Sequence, residues 1–169
     1  MTRIASAALL VVLVSSLAGC GEDDEPSGEN DPDGPAALEF TNSGGCADAF
    51  FWATTADDKH AVVVSVDLRD RSASEPTGLD VELPDPAAEV ELWEGTGLAS
   101  LMCNDVIEGE VTEETPVVEG TITVTVQPRP RDPGNLTDGK ATLTGLVTEA
   151  GTELPDLEVK TTWIGFYAG

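Results

Sequence analysis

The sequence predicts an all-β domain, a single antiparallel β-sandwich of immunoglobulin-like or similar type, with a small β-barrel as the alternative. Three observations predict it. Beyond Pro35, apolar and polar residues alternate with a period of two. β-branched residues are enriched in the alternating runs. No stretch shows an apolar stripe at helical spacing.

The elements follow in chain order. Leu38 to Thr41 and Ala49 to Thr55 read as short strands, the second carrying Phe50, Phe51 and Trp52, which a mostly buried strand explains. Thr55-Ala56-Asp57-Asp58 is a turn between strands. Val64, Val66 and Leu68 then alternate with Ser65, Asp67 and Arg69. Glu75-Pro76-Thr77-Gly78 reads as the next turn, before Leu79, Val81 and Leu83 alternate with Asp80 and Glu82. Glu89 to Trp93 is a further run, and Ile122, Val124 and Val126 alternate with threonines. Ala141 to Thr148 and Leu157 to Tyr167 complete the set, separated by a turn at Ala150-Gly151. About seven to nine strands at this spacing are those of a sandwich or barrel. An immunoglobulin-like family is not assigned, because the mid-strand cysteine pair with its buried tryptophan is not evident. In the last strand Trp163 and Tyr167 fall on one face and Ile164 and Phe166 on the other, which predicts a strand covered on both sides.

The region before the domain has a different character. Met1-Thr2-Arg3 is followed by an uncharged stretch from Ile4 to Gly19, most apolar over Ala7 to Val14. One positive charge, a short apolar run and small residues before a cut site are the parts of a secretory signal peptide, expected over residues 1–19. The apolar run is shorter than the roughly 20 residues that cross ~30 Å of hydrocarbon. Leu17-Ala18-Gly19-Cys20 closes the segment. This tetrapeptide resembles the lipobox of bacterial lipoproteins. The resemblance covers only these first residues and implies diacylglyceryl (palmitate-type) modification of the Cys20 sulfur, with cleavage just before it by signal peptidase II. Two acyl chains, at ~0.8 kcal/mol per buried methylene, anchor stably where one is marginal. The implied location is the extracytoplasmic side of the cell membrane or outer membrane. Gly21 stands where an aspartate would resemble an inner-membrane retention signal.

From Gly21 to Pro35 the chain holds only Gly, Pro, Ser, Asn, Asp and Glu, with acids at Glu22, Asp23, Asp24, Glu25, Glu29, Asp31 and Asp33. Residues 20–35 therefore read as the lipidated cysteine and a disordered acidic tether, since such a composition cannot bury enough surface to offset chain entropy. About 15 flexible residues reach about 20 Å. Residues 36–169 are an ordinary length for one domain.

The chain carries 32 acidic and 8 basic residues, a net charge of −24. Nucleic acid is excluded as a partner, because phosphate binding needs a basic footprint, and no Arg/Lys patch exists to recruit anionic lipid. Of three cysteines, Cys20 is assigned to lipid, which leaves Cys46 and Cys103. Export places these two in an oxidising compartment, so they are expected to form one disulfide.

Candidate chemistry is sparse, and no catalytic residue is assigned. His60 is the only histidine, which excludes the histidine sets of blue-copper and catalytic zinc centres. No Gly-x-Ser-x-Gly elbow accompanies it, so an ordinary surface histidine is expected. Asp132, Asn135 and Asp138, in the stretch from Arg131 to Gly139, are a weak candidate calcium set, though turns favour the same residues. Arg129 and Arg131 flank them, and the Asn135-Leu136-Thr137 sequon carries no weight in a bacterial lipoprotein. Trp93 lies beside Glu91, off the face set by Val90 and Leu92, which makes it a candidate ligand contact. No cofactor is expected. The function expected is a non-catalytic binding module at the envelope, with an envelope protein or glycan as partner. The alternatives are a small carboxylate-dependent hydrolase and a purely structural component.

Overall fold

In the computed structural model the strands begin where the apolar alternation does and form one antiparallel sheet. The structure describes residues 37–68, 75–105, 108–128 and 136–165. These all belong to the unit Pro35–Gly169. The expected signal peptide, Cys20 and the acidic tether lie outside the described residues. Among the described residues there are eight strands: β1 (Phe40–Cys46), β2 (Phe50–Thr55), β3 (His60–Val66), β4 (Thr77–Glu82), β5 (Ala88–Thr96), β6 (Glu110–Val126), β7 (Thr137–Thr148) and β8 (Leu157–Ile164). A single 3₁₀ turn, Leu98–Leu101, is the only helical element among them.

The strand order is β1-β2-β3-β5-β6-β7-β8, with β4 paired to β6 off this path. β6 makes this possible. Over 17 residues it pairs with β5 through Glu110–Pro116 and then with β4 through Thr121–Val126. Its other edge pairs with β7, with register shifts on either side of Glu119. Gly120 sits at this bend with φ 129, and a Cβ there would come within 2.7 Å of Leu146 and 3.0 Å of the Thr144 carbonyl. Only glycine meets both demands without strain. β8 then lies against β1: Thr161 Oγ1 donates to the Gly45 carbonyl at 2.9 Å, and Gly165 N–H donates to the Ala47 carbonyl at 2.6 Å. The sheet is thus nearly closed. Of the two all-β architectures expected, the barrel describes it, because one bent strand keeps continuous what a sandwich would divide.

The interior is the face the alternation predicted. Val64, Ile122, Val124 and Val126 are buried, with Phe51, Leu143 and Ile164 fully so. Val66 is buried too, and Leu68, Leu79, Val81 and Leu83 are partly buried against the same core. Burying each such side chain contributes roughly 1.5–3 kcal/mol.

Several boundaries differ from the sequence reading. β1 starts at Phe40 and continues to Cys46, beyond Thr41. Thr77 and Gly78 already belong to β4 rather than to the turn before it. β7 starts at Thr137, so Asp138 and Gly139 are strand residues, not loop. The first part of β6, with its glutamates and Pro116, carries too little apolar alternation to announce itself.

A second apolar cluster lies on the outer face. Ala61 and Val63 are buried there with Leu98 and Met102, and Phe50, Trp52, Trp93, Leu101 and Val111 pack around them. β3 is consequently buried on both faces from Ala61 to Val64. Two ties hold the Gly97–Cys103 segment over it. Asp58 Oδ1 accepts the Ala99 N–H at 2.7 Å, and Cys46 and Cys103 form the expected disulfide, with Cα atoms 6.0 Å apart.

Candidate functional site

β8 breaks its own alternation at one place, and the site grows from that break. Val159 and Thr161 point inward and are buried. Simple alternation would send Trp163 after them. The register instead pairs Thr161 with Gly139 and Ile164 with Thr137, so three steps on β8 oppose two on β7. The extra residue is a bulge, which re-aims the side chains beyond it. Ile164 turns into the core at 0% exposure, and Trp163 turns out, 53% exposed. It is the exposed large apolar side chain among the described residues. The expectation that this strand is covered on both sides is therefore corrected at Trp163, which the bulge leaves 53% exposed. Phe166 and Tyr167 lie outside the described residues. Thr161 holds the bulge, since its Oγ1 accepts the Trp163 N–H at 3.1 Å while donating to Gly45.

Trp163 stands between two adjoining clefts. The larger, of about 720 Å³, is lined on the β6–β7–β8 side by Thr125, Gln127, Asp138, Lys140 and Lys160. The smaller, of about 350 Å³, is lined by Trp52 and Cys103. Ser43, Gly44, Thr161 and Trp163 line both, so the two form one groove over the seam where β1 meets β8. Trp52 forms its far wall by lying on Gly44, its register partner on β1, where a Cβ would approach the indole to 2.7 Å. The indole Nε1 of Trp52 is buried without a hydrogen-bond partner.

The electrostatics of the groove are unlike those of the chain as a whole. Thr125, Lys140 and Lys160 are directly opposite one another across β6, β7 and β8. Two like charges in that position repel. Glu158 offsets the repulsion by pairing with both, at 2.6 Å to Lys140 and 2.5 Å to Lys160. Hydrogen bonds from Lys140 and then Lys160 hold its carboxyl down at about 2. Of the three lysines in the chain, two stand in this row.

Of the residues singled out from sequence, Asp138 lines the groove and Trp93 and His60 lie elsewhere. Trp93 is half-buried in the outer cluster, and its Nε1 donates to Glu91 Oε2 at 2.8 Å. Its ring packs against the cluster of Ala61, Val63, Leu98 and Met102 while its edge keeps Glu91 as a partner. Asp138 is exposed on β7 and lines the groove, whereas Asp132 and Asn135 lie outside the described residues. His60 opens β3, half-buried, its backbone N–H donating to Thr55 Oγ1 at 3.2 Å. Among the described residues no group of three His, Cys, Asp or Glu is placed to hold a metal ion.

Sequence reasoning missed the groove. The scarcity of lysine was a signal, but pairing Lys140 with Lys160 required the β7–β8 register. Comparison with family models, with curated proteins and with solved structures finds no match to this chain.

Proposed function

We propose that this chain is a lipid-anchored protein of the bacterial cell envelope, held on the extracytoplasmic side by Cys20, with its β-barrel acting as a non-catalytic binding module. The observation that carries the reading is the disposition of the three cysteines. Cys46 and Cys103 pair with each other across 57 positions. This leaves Cys20, in its Leu-Ala-Gly-Cys context, for the lipid. A structural disulfide also suits export to an oxidising compartment. The barrel presents a groove lined by an exposed tryptophan and several polar groups, a concave surface that can hold a ligand.

The intact mass of the protein extracted from its host's membranes, before and after reduction, tests this reading. A mass beginning at Cys20 with two or three acyl chains, rising by about two hydrogens on reduction, supports the anchor and the disulfide together. A mass that retains Met1, or that carries no lipid, overturns the anchor.

A further inference from the structure

The groove at Trp163 has a composition that selects among ligand classes. Lys140 and Lys160 line it with Asp138, and Glu158, beside the lining, pairs with both lysines, so these four charges cancel in a chain of net charge −24. A polyanion gains nothing from that balance and is repelled by the chain as a whole. A polycation would have to displace two lysines from the carboxylate they share. A wholly apolar ligand would bury a rim of charged and hydroxyl groups without partners, which costs free energy. The matching ligand is uncharged, with one apolar face and an edge of hydroxyls.

We propose that this groove is a binding site for a glycan chain of neutral sugars, with Trp163 as its stacking platform. The proposal deepens the binding-module reading and rests on it. A pyranose ring has a flat face of C–H groups and a rim of hydroxyls that both donate and accept. Trp163 offers the flat apolar plate, set outward by the β8 bulge and 53% exposed. Ser43, Thr125 and Thr162 bring hydroxyls to the groove, with Lys140 and Lys160 as donors and Asp138 as acceptor. The larger cleft, about 720 Å³, falls within the roughly 300–1,000 Å³ of small-ligand sites. The groove continues past Trp163 to Trp52 and so has room for more than one ring. Trp163 is held from both sides: Thr161 fixes its backbone, and Ile164 anchors the next residue in the core. A platform whose backbone is already fixed loses less freedom on binding.

The test is affinity electrophoresis of the full chain, purified from its host in detergent, through native gels containing one polysaccharide each. Mannan, amylose and a β-1,3-glucan are the neutral probes, and alginate is the anionic comparison. Retardation by at least one neutral polymer and not by alginate is expected. Trp163→Ala should weaken that retardation at least tenfold, Trp163→Phe should keep most of it, and Thr112→Ala, exposed on β6 and outside both clefts, should leave it unchanged. Ser43→Trp, which fills the groove while keeping Trp163, should abolish it, so the outcome does not hang on one variant. Retardation by alginate alone, by no polymer at all, or equally by Trp163→Ala and the parent chain overturns the site. The anchor is judged separately: an unlipidated protein that binds a neutral glycan leaves this site standing, and a lipidated one that binds none leaves the anchor standing.

Discussion

The Thr161 hydroxyl donates to the Gly45 carbonyl at 2.9 Å, joining the last strand to the first across 116 positions of chain. The approach is close: a Cβ on Gly45 would lie 3.0 Å from the Thr161 methyl and 2.5 Å from the Phe50 carbonyl. The same hydroxyl accepts the Trp163 N–H, so closure of the barrel and presentation of the tryptophan share one atom.

Thr161→Val keeps the shape and removes both hydrogen bonds of a buried side chain. The expected loss is about 1–3 kcal/mol of unfolding free energy, read from urea denaturation. Thr161→Ser should recover most of it. A valine variant as stable as the parent would show that the seam is held by packing alone.

Asp58 secures the outer cluster. Its carboxylate accepts the Ala99 N–H across 41 positions, and its own backbone has φ 60, a region that Asp adopts more readily than Ala. Asp58→Ala should destabilise by about 2 kcal/mol. Asp58→Gly relieves the backbone and retains only the loss of the bond, so the difference between the two variants measures the backbone part. Hydrogen exchange at Ala99 should speed up in both.

Reduction of Cys46–Cys103 reopens a loop of 57 positions. In the chain-entropy description this costs about 4 kcal/mol, less any strain relieved. Urea midpoints with and without reductant should therefore separate, and Cys46→Ala/Cys103→Ala should match the reduced parent. Because Met102 and Leu98 cover Val63 beside the bridge, tryptophan emission is expected to shift on reduction before global unfolding.

Glu158 links acidity to stability. Its carboxyl is lowered from 4.5 to about 2 by Lys140 and then Lys160. A depressed acid contributes stability that is fully present above the unfolded value and is lost as pH falls through the folded one. The contribution should thus be complete above about pH 4.5 and vanish towards about pH 2. Glu158→Gln should flatten the acid limb of a melting-temperature profile over that window, by a small amount for an exposed pair. At about 1 M salt, where the screening length is about 3 Å, parent and variant should converge.

Much of the fold was legible. The alternations at Val64–Leu68, Leu79–Leu83 and Ile122–Val126 each put the expected side chains on the core side, because a half-buried strand must alternate. The run Ala61-Val62-Val63-Val64 hides its meaning: four consecutive apolar residues mark a strand buried on both faces. What covers the second face is a short 3₁₀ turn with no stripe of its own, tied down by Asp58 from far along the chain. Trp93 was open to two readings, an exposed contact among acids or packing over the sheet, and in space it packs against the outer cluster while bonding Glu91.

The all-β class, the inward face of the clearest strands and the single Cys46–Cys103 bridge are written in the order and count of the residues. These are local or counting properties, set by the two-residue period of a strand and by how many cysteines are left to pair. The near closure of the sheet into a barrel, the facing of Lys140 and Lys160 with Glu158 between them, and the outward turn of Trp163 emerge only once the strands pair. Those depend on register, and one extra residue in β8 exchanges the faces of Trp163 and Ile164. Register is set by pairing with strands distant in sequence and by the packing of their inner faces, which no local pattern in β8 records.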